Sequence, residues 1–150
     1  MDKKNKRANQ TVGNAGLYYV CFKLSQMGWN VLPTSRNARG VDIVAYNEDA
    51  TRYVTIQVKS LSKSNPVPFG RSTDNLIADF VVVCRGVMDG EPHCFILTPG
   101  EVRNYANEFG SGNKRNCFLR PQCYELGRFR ENWERIRKRA ADRGGRSRDS

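Results

Sequence analysis

Three polar residues that could do chemistry together lie in two neighbouring stretches of alternating apolar residues. The stretches, 40–46 (GVDIVAY) and 53–60 (YVTIQVKS), each predict a β-strand, and the short polar link between them predicts a hairpin. Such a hairpin brings Asp42 close to Gln57 and Lys59, which are two residues apart and share one face of their strand. Carboxylate and amide oxygens can bind a hard cation, and an ammonium group can stabilise negative charge. The simpler alternative is that these residues are the solvent face of a sheet.

The charge of the chain favours a polyanionic partner. The net charge is +10 over 150 residues, and its distribution is uneven. Residues 1–40 contain seven Lys or Arg and one acid, and residues 128–150 contain nine against four, so the middle is close to neutral. Basic ends on a neutral core favour nucleic acid. The alternatives are an acidic protein, a membrane surface, or tails that serve only solubility.

Composition and cysteine spacing argue against several other classes of protein. No run of 18 apolar residues is present, and no apolar region follows the charged residues 1–7, so neither a membrane span nor a secretory signal is expected. We therefore expect a soluble, cytoplasmic protein. Five cysteines form no CxxC pair, and a zinc site built from His93, Cys94, Cys117 and Cys123 would have a spacing that fits no strong zinc pattern. We interpret His93 as structural.

Apolar periodicity predicts one sheet flanked by helices. Leu17, Val20, Leu24 and Met27 recur at helical spacing, and Thr11 or Asn14 could cap their helix. The predicted elements are, in order, this helix, strands at 29–33, 40–46, 53–60, 79–84 and 93–97, a helix from 98 to about 108, an edge strand at 118–119 and a final helix at about 129–143. This order predicts an α/β (or α+β) fold with a central mixed sheet flanked by helices.

Local signals predict features of the last two helices and the division of the chain. Thr98, Pro99 and Glu101 form a capping-box pattern for the second helix. Glu131 and Arg135 predict an ion pair one turn apart in the last helix. The charge pattern predicts a basic mobile arm at 1–11, a single domain at 12–143 and a disordered basic tail at 144–150.

The order of these motifs resembles a known family of nucleases. Asp42, a hairpin and then Gln57-Val58-Lys59, preceded by an amphipathic helix, is similar to the core of the PD-(D/E)XK nuclease superfamily. The resemblance covers roughly residues 12–84 and is strongest to the branch with Gln-x-Lys, as in Mrr-like restriction enzymes and some intron homing nucleases. It implies a restriction-endonuclease-like core and a metal-dependent DNA endonuclease. It also implies double-stranded DNA as the partner and a homodimer or higher homo-oligomer, because two copies of one site can cut both strands.

The resemblance also implies a role for each site residue. Asp42, Gln57 and the main-chain carbonyl of Val58 would hold Mg²⁺, or Mn²⁺, and Lys59 would position the attacking water or stabilise the transition state. Asp42, Gln57 and Lys59 are thus the expected catalytic residues. Loops before and after the hairpin are expected to contact DNA through Arg36, Arg39, Ser60, Lys63 and Arg71.

One departure from the family pattern leaves the activity open. Many members carry a glutamate in the first helix that helps to hold the metal, whereas this chain has no acid between Asp2 and Asp42. Asn14 is a partial substitute, or Ala15 occupies the position of a lost acid. The alternative function is a catalytically weak or inactive nuclease-fold protein that binds DNA without cleaving it. A third reading is a basic domain that docks on an acidic protein.

Overall fold

A five-stranded mixed sheet and a smaller three-stranded sheet organise the chain. The structure is a computed structural model and describes residues 3–35 and 40–144. Its strands are β1 (Asn30–Pro33), β2 (Ile43–Tyr46), β3 (Tyr53–Leu61), β4 (Val67–Pro68), β5 (Phe80–Arg85), β6 (His93–Leu97), β7 (Asn107–Phe109) and β8 (Asn116–Leu119). Its α-helices are α1 (Lys3–Gln26), α2 (Pro99–Tyr105), α3 (Pro121–Tyr124) and α4 (Glu134–Gly144), and a 3-10 turn occupies Gly112–Lys114.

The larger sheet has the strand order β1-β2-β3-β5-β6. Only β3 and β5 pair in parallel, and the other neighbours pair antiparallel. Phe80 to Cys84 are all buried, which explains why β5 reads as a continuous apolar run rather than an alternating one. A mixed sheet with flanking helices is the predicted fold class, and the structure confirms it.

Helix α1 packs across one face of the larger sheet. Val20 and Leu24 are completely buried against side chains of the sheet that include Ile56 and Val82. A Cβ atom on Gly16 would collide with the hydroxyl of Ser60, so glycine at this position lets α1 approach β3 closely. This close approach brings the first half of α1 alongside the end of β3.

The small sheet covers the opposite face, with the strand order β4-β8-β7. Val67 of β4 and Leu119 of β8 are completely buried in a second core together with Val81 and Val83 of β5. The loop expected after the hairpin contains β4, whose two residues pair with β8. Because β4 lies at an edge of the small sheet, it can contain a proline.

The first helix was predicted to begin too late. Because α1 begins at Lys3, residues 3–11 of the predicted arm are helical, and Thr11 and Asn14 lie within the helix instead of capping it. The boundary at residue 143 stays a prediction, since α4 ends at Gly144 and residues 145–150 lie outside the described part of the chain.

The start of the last helix was also predicted too early. Glu131 has a φ of 49°, a left-handed conformation that a helix cannot contain, so α4 begins only at Glu134. The Glu131 carboxylate accepts hydrogen bonds from Cys94 N (2.8 Å) and Trp133 Nε1 (2.9 Å). The predicted pair with Arg135 is therefore wrong, and Arg135 pairs with Glu101 at 2.8 Å.

The capping box of α2 is confirmed. Glu101 N donates to Thr98 Oγ1 at 3.2 Å, and Thr98 N donates to Glu101 Oε1 at 2.8 Å. The helix ends at Tyr105 rather than near residue 108, because Asn107 to Phe109 pair with β8 as β7. Among the described residues, no helix is both long and apolar enough to cross a membrane.

Candidate active site

The candidate site lies where β2 and β3 separate. Strand β3 pairs with β2 only as far as Ile56, while its later residues pair with β5 on the other side. The next backbone N–H that faces the missing strand belongs to Val58, and it donates to Asp42 Oδ2 at 2.7 Å. A side-chain carboxylate thus replaces a main-chain carbonyl at the point where the ladder ends.

The backbone around Asp42 is held from both sides. Asp42 N donates to Ile56 O (2.9 Å), and Asp42 O accepts from Thr34 N (2.9 Å). Gly40 has a φ of 74°, and a Cβ there would lie 2.9 Å from the side chain of Ile77, so both the conformation and the space favour glycine. These contacts fix the carboxylate before any ligand arrives.

The strand register places the three predicted catalytic residues on one face. Ile43 pairs with Ile56, so extending the register by one residue sets Asp42 opposite Gln57, and Lys59 follows on the same side of β3. Within the described part of the chain, the second oxygen of Asp42, Oδ1, accepts no hydrogen bond. One oxygen is therefore structural and the other is available to a ligand.

An open cavity of about 500 Å³ adjoins Asp42, and we call it the Asp42 cavity. Helix α1, the end of β3 and the start of the small sheet form its walls. Its lining residues are Asn9, Val12, Gly13, Asn14, Leu17, Asp42, Val58, Lys59, Ser60 and Pro68. It contains one carboxylate, one ammonium group and two amides, which suits an anionic ligand with a bound cation better than an apolar one.

Lys59 is the cation among the described residues that line this cavity. Burial lowers its pKa below the ordinary lysine value, and the nearby Asp42 carboxylate opposes that shift. Its ammonium nitrogen lies 5.1 Å from the centre of the Phe69 ring, whose negative face attracts a cation. The lowered pKa brings the group nearer to a range in which it can give up or take a proton.

Gln57 has an unsatisfied acceptor. Its Oε1 atom is buried and has no hydrogen-bond partner among the described residues. A buried acceptor without a donor costs about 1–3 kcal/mol, so such an atom calls for a ligand. A hard cation such as Mg²⁺ prefers oxygen ligands and keeps several of its waters, so Asp42 Oδ1 and Gln57 Oε1 fit it as a small set of protein ligands. Gln57 is not part of the cavity wall, and it lies beside the cluster of Asp42, Val58 and Lys59.

The residues predicted to bind DNA have different surroundings. Arg36 and Arg39 lie outside the described residues. Ser60 lines the Asp42 cavity, but its hydroxyl donates to Gly13 O at 3.3 Å and so also joins β3 to α1. Lys63 is exposed between β3 and β4, and Arg71 is exposed between β4 and β5.

Sequence reasoning missed part of the site. Asn9 lines the cavity from α1, and its role was hidden because the helix was expected to begin later. Asn14 also lines the cavity, whereas Ala15 packs against the core between α1 and the sheet. The expected partial substitute, Asn14, therefore lines the site, and Ala15, the expected position of a lost acid, does not. The spacing of residues 9, 13 and 17, one turn apart, is the signal that could have revealed this face.

Among the described residues, no group of three or more His, Cys, Asp or Glu side chains could hold a metal ion, at Asp42 or elsewhere. Cys84 and Cys94 are buried opposite each other on β5 and β6, with their sulfur atoms 2.9 Å apart.

Comparisons with known proteins give one informative likeness. No family model matches the chain, and no curated protein matches it. The solved structure of a bacterial homing endonuclease, I-Ssp6803I, is similar with a TM-score of 0.60 and 19% sequence identity. The match covers 89% of this chain and 94% of that one, so the likeness extends over nearly the whole fold.

Proposed function

From this likeness of fold and the geometry of the Asp42 cavity, we propose that the protein is a metal-dependent DNA endonuclease that hydrolyses phosphodiester bonds. The observation that carries the proposal is the Asp42 carboxylate, which is fixed by Val58 N through one oxygen and offers the other to an open cavity beside Lys59. The fold shared with a bacterial homing endonuclease and the net charge of +10 support DNA as the substrate.

In this proposal the metal site is small. Asp42, Gln57 and the main-chain carbonyl of Val58 would hold Mg²⁺ or Mn²⁺. When bound, the ion would stabilise charge on the phosphate and lower the pKa of a coordinated water. The buried Gln57 Oε1 supports this ligand set, because a cation would satisfy an acceptor that no donor among the described residues reaches.

Side chains of the protein would stabilise the transition state and bind the DNA. Lys59, positioned beside Asp42 and over Phe69, would neutralise the phosphate as charge develops or orient the attacking water. Ser60, Lys63 and Arg71 would hold the DNA backbone, together with Arg36 and Arg39. A homodimer or higher oligomer would supply a second site for the second strand.

Cleavage of supercoiled plasmid tests the proposal. Wild type should nick or linearise the plasmid with Mg²⁺ or Mn²⁺ and not with a chelator. Asp42→Asn and Lys59→Met should each lose at least about 100-fold in rate, the scale of removing one preorganised charge-stabilising group. Lys138→Met serves as the matched control, because Lys138 is exposed on α4 and away from the cavity. If Lys59→Met cleaves as fast as wild type at saturating metal, the proposed site is wrong.

A second function is favoured by the single carboxylate of the Asp42 cavity. With Asn9 and Asn14 where other acids would strengthen metal binding, the fold could bind DNA without cutting it. Such a protein would bind duplex DNA with an affinity that falls steeply with salt, because neutralised phosphates release counterions. Salt-sensitive binding that is indifferent to Mg²⁺ and Mn²⁺, with no cleavage by wild type, would select this function over the first.

A further inference from the structure

A second concave surface lies on the outer face of the small sheet. It has a volume of about 490 Å³ and is lined by Pro66, Phe109, Asn116, Phe118 and Arg120, which we call the aromatic platform. None of these residues lines the Asp42 cavity.

The strand pairing explains why two phenylalanines face outward here. On β8, Cys117 and Leu119 are buried in the core, so the alternation of a strand turns Phe118 to the opposite side. On β7, Phe109 pairs with Asn116 and is the diagonal neighbour of Phe118, with ring centroids 6.5 Å apart and ring planes inclined by 57°. Phe109 is 50% exposed. The backbone ladder thus holds two aromatic rings in place at the surface.

The charges around the platform are those of an anion-binding surface. The Arg120 guanidinium lies 5.8 Å from the centre of the Phe109 ring. Between residues 107 and 120 the only acid is Glu108, which is paired with Arg115. Arg120 is therefore left as the cation beside the Phe109 ring, and Lys114 adds a positive charge to the same segment of the chain. Exposed aromatic rings with neighbouring arginine and lysine are the combination on which nucleic-acid bases stack.

The platform also continues from the Asp42 cavity. Pro66 lines the platform and Pro68 lines the cavity, and the two residues are separated only by Val67. Extended backbone rises about 3.3 Å per residue, so these two lining residues lie within about 7 Å of each other. A DNA strand whose phosphate lies in the cavity would reach the platform with the adjoining nucleotides.

We propose that the aromatic platform binds an unpaired DNA base, which stacks on Phe109 while Arg120 contacts its phosphate. The choice of DNA rests on the proposed function. A paired base has both of its faces covered by its neighbours in the stack, whereas an unpaired base can present a face to a concave surface. The platform would therefore bind a single strand, or a base displaced from the duplex next to the cleavage site.

Fluorescence of 2-aminopurine tests this proposal. The probe is a short single-stranded oligonucleotide with 2-aminopurine at its centre, and the same sequence as a blunt duplex is its comparison. Wild type should quench the single strand and bind it more tightly than Phe109→Ala by about 5- to 150-fold, the range of one base–aromatic stack. The ratio between the two proteins should be the same at low and at high salt, because stacking releases no counterions.

Phe22→Ala is the matched control, since Phe22 is 55% exposed and lies on α1 outside both cavities. Because Phe109 is also exposed, its replacement should leave the unfolding transition unchanged. The proposal is overturned if Phe109→Ala and Phe22→Ala bind the single strand alike. It is also overturned if sedimentation shows that Phe109→Ala converts a wild-type dimer into monomers with no change in oligonucleotide binding, because the platform would then be covered by a second copy.

The same proteins separate this inference from the proposed function. If wild type shows no metal-dependent cleavage but binds the single strand through Phe109, the platform stands and the nuclease proposal fails. If wild type cleaves plasmid and Phe109→Ala has no effect on single-strand binding, the proposal for the aromatic platform fails and the nuclease proposal stands.

Discussion

Two aspartates flank β3, and their carboxylates differ in how many protein partners they have. Asp79 lies just before β5 and accepts hydrogen bonds through Oδ2 from Thr55 N (2.9 Å) and Thr55 Oγ1 (3.1 Å). Its own N–H donates to Thr55 Oγ1, and Arg139 lies 3.9 Å from its Oδ1. Asp42 lies just before β2 and uses one oxygen in the same way, on Val58 N.

The difference between these aspartates lies in what surrounds the remaining oxygen. The Asp79 side chain is 9% exposed and its carboxylate has several partners, so it caps the edge of β3 at a point where β5 has not yet begun. The Asp42 carboxylate faces an open cavity that also contains Lys59. Asp79 also lines an open cavity, of about 380 Å³, so room for a ligand does not distinguish the two aspartates. A carboxylate that caps a strand end becomes a candidate catalytic group here because its second oxygen has no partner among the described residues.

The largest expected effect comes from exchanging one aspartate at a time for asparagine. Asp42→Asn keeps an oxygen for Val58 N but removes the charge, so cleavage should fall by at least about 100-fold with little change in stability. Asp79→Asn should keep cleavage per folded molecule, yet it should lower the free energy of unfolding by about 1–3 kcal/mol, because its charge-assisted bonds to Thr55 weaken. Plasmid cleavage and urea unfolding of both variants measure this. Equal losses of cleavage in the two variants would remove the distinction between the aspartates.

The sequence predicted the positions of both aspartates but not their difference. Each precedes an apolar strand, and the pattern of residues gives no information about which carboxylate will have partners for both of its oxygens. The wall of the Asp42 cavity depends on α1, whose first half was missed because Lys3 to Gln10 contain no apolar stripe to indicate a helix. The core strands and the capping box of α2 were predictable, since periodicity and local hydrogen bonding determine them.

The small sheet was harder to predict for a different reason. Its strands are two to four residues long, and Val67–Pro68 contains a proline, so no alternating pattern develops. The position of Phe69 against Lys59 depends on this sheet, through the bond from Phe69 N to Cys117 O (2.9 Å). Long-range pairing of this kind is not encoded in local periodicity. The start of α4 was missed similarly, because the burial of Phe129 and Trp133 mimics helical spacing across the left-handed Glu131.

Two glycines of α1 test how closely this helix packs against β3. Gly16→Ala would place a methyl group against the Ser60 hydroxyl and should destabilise the fold by about 1–3 kcal/mol through overpacking. Gly13→Ala is the control, since nothing lies within 4 Å of its added Cβ, and it should stabilise the helix by about 0.5–1 kcal/mol. Thermal unfolding of the two variants gives the comparison. Equal stability of the two would mean that α1 does not approach β3 as closely as the structure shows.

A smaller effect is expected from adding a second carboxylate to the cavity. Asn14 and Asp42 line the same cavity, so Asn14→Asp adds a carboxylate to it. This change should lower the Mg²⁺ concentration for half-maximal cleavage by roughly tenfold, the factor given by about 1.4 kcal/mol of added attraction. Ala15→Asp is the control, because Ala15 packs against the core and its replacement should reduce stability without improving metal use. Cleavage rates over a Mg²⁺ titration measure both. An unchanged titration for Asn14→Asp would show that no metal is held near α1.

The smallest expected effect is a shift in the titration of Lys59. Burial lowers its pKa and Asp42 opposes this, so Asp42→Asn should lower the pKa further, whereas Asp79→Asn should leave it unchanged. The Lys59 ¹³Cε resonance, assigned by its loss in Lys59→Met, reports the titration.

The same shift makes stability depend on pH. Because the pKa of Lys59 is lower in the folded than in the unfolded chain, the unfolded chain binds more protons between the two pKa values. The stability contributed by Lys59 therefore rises with pH across that window. Subtracting the unfolding free energy of Lys59→Met at each pH isolates this rise. The rise should begin at a lower pH in Asp42→Asn than in wild type, because an ammonium group without its counter-charge loses its proton at a lower pH. An identical onset in wild type, Asp42→Asn and Asp79→Asn would show that Asp42 and Lys59 do not form one electrostatic site.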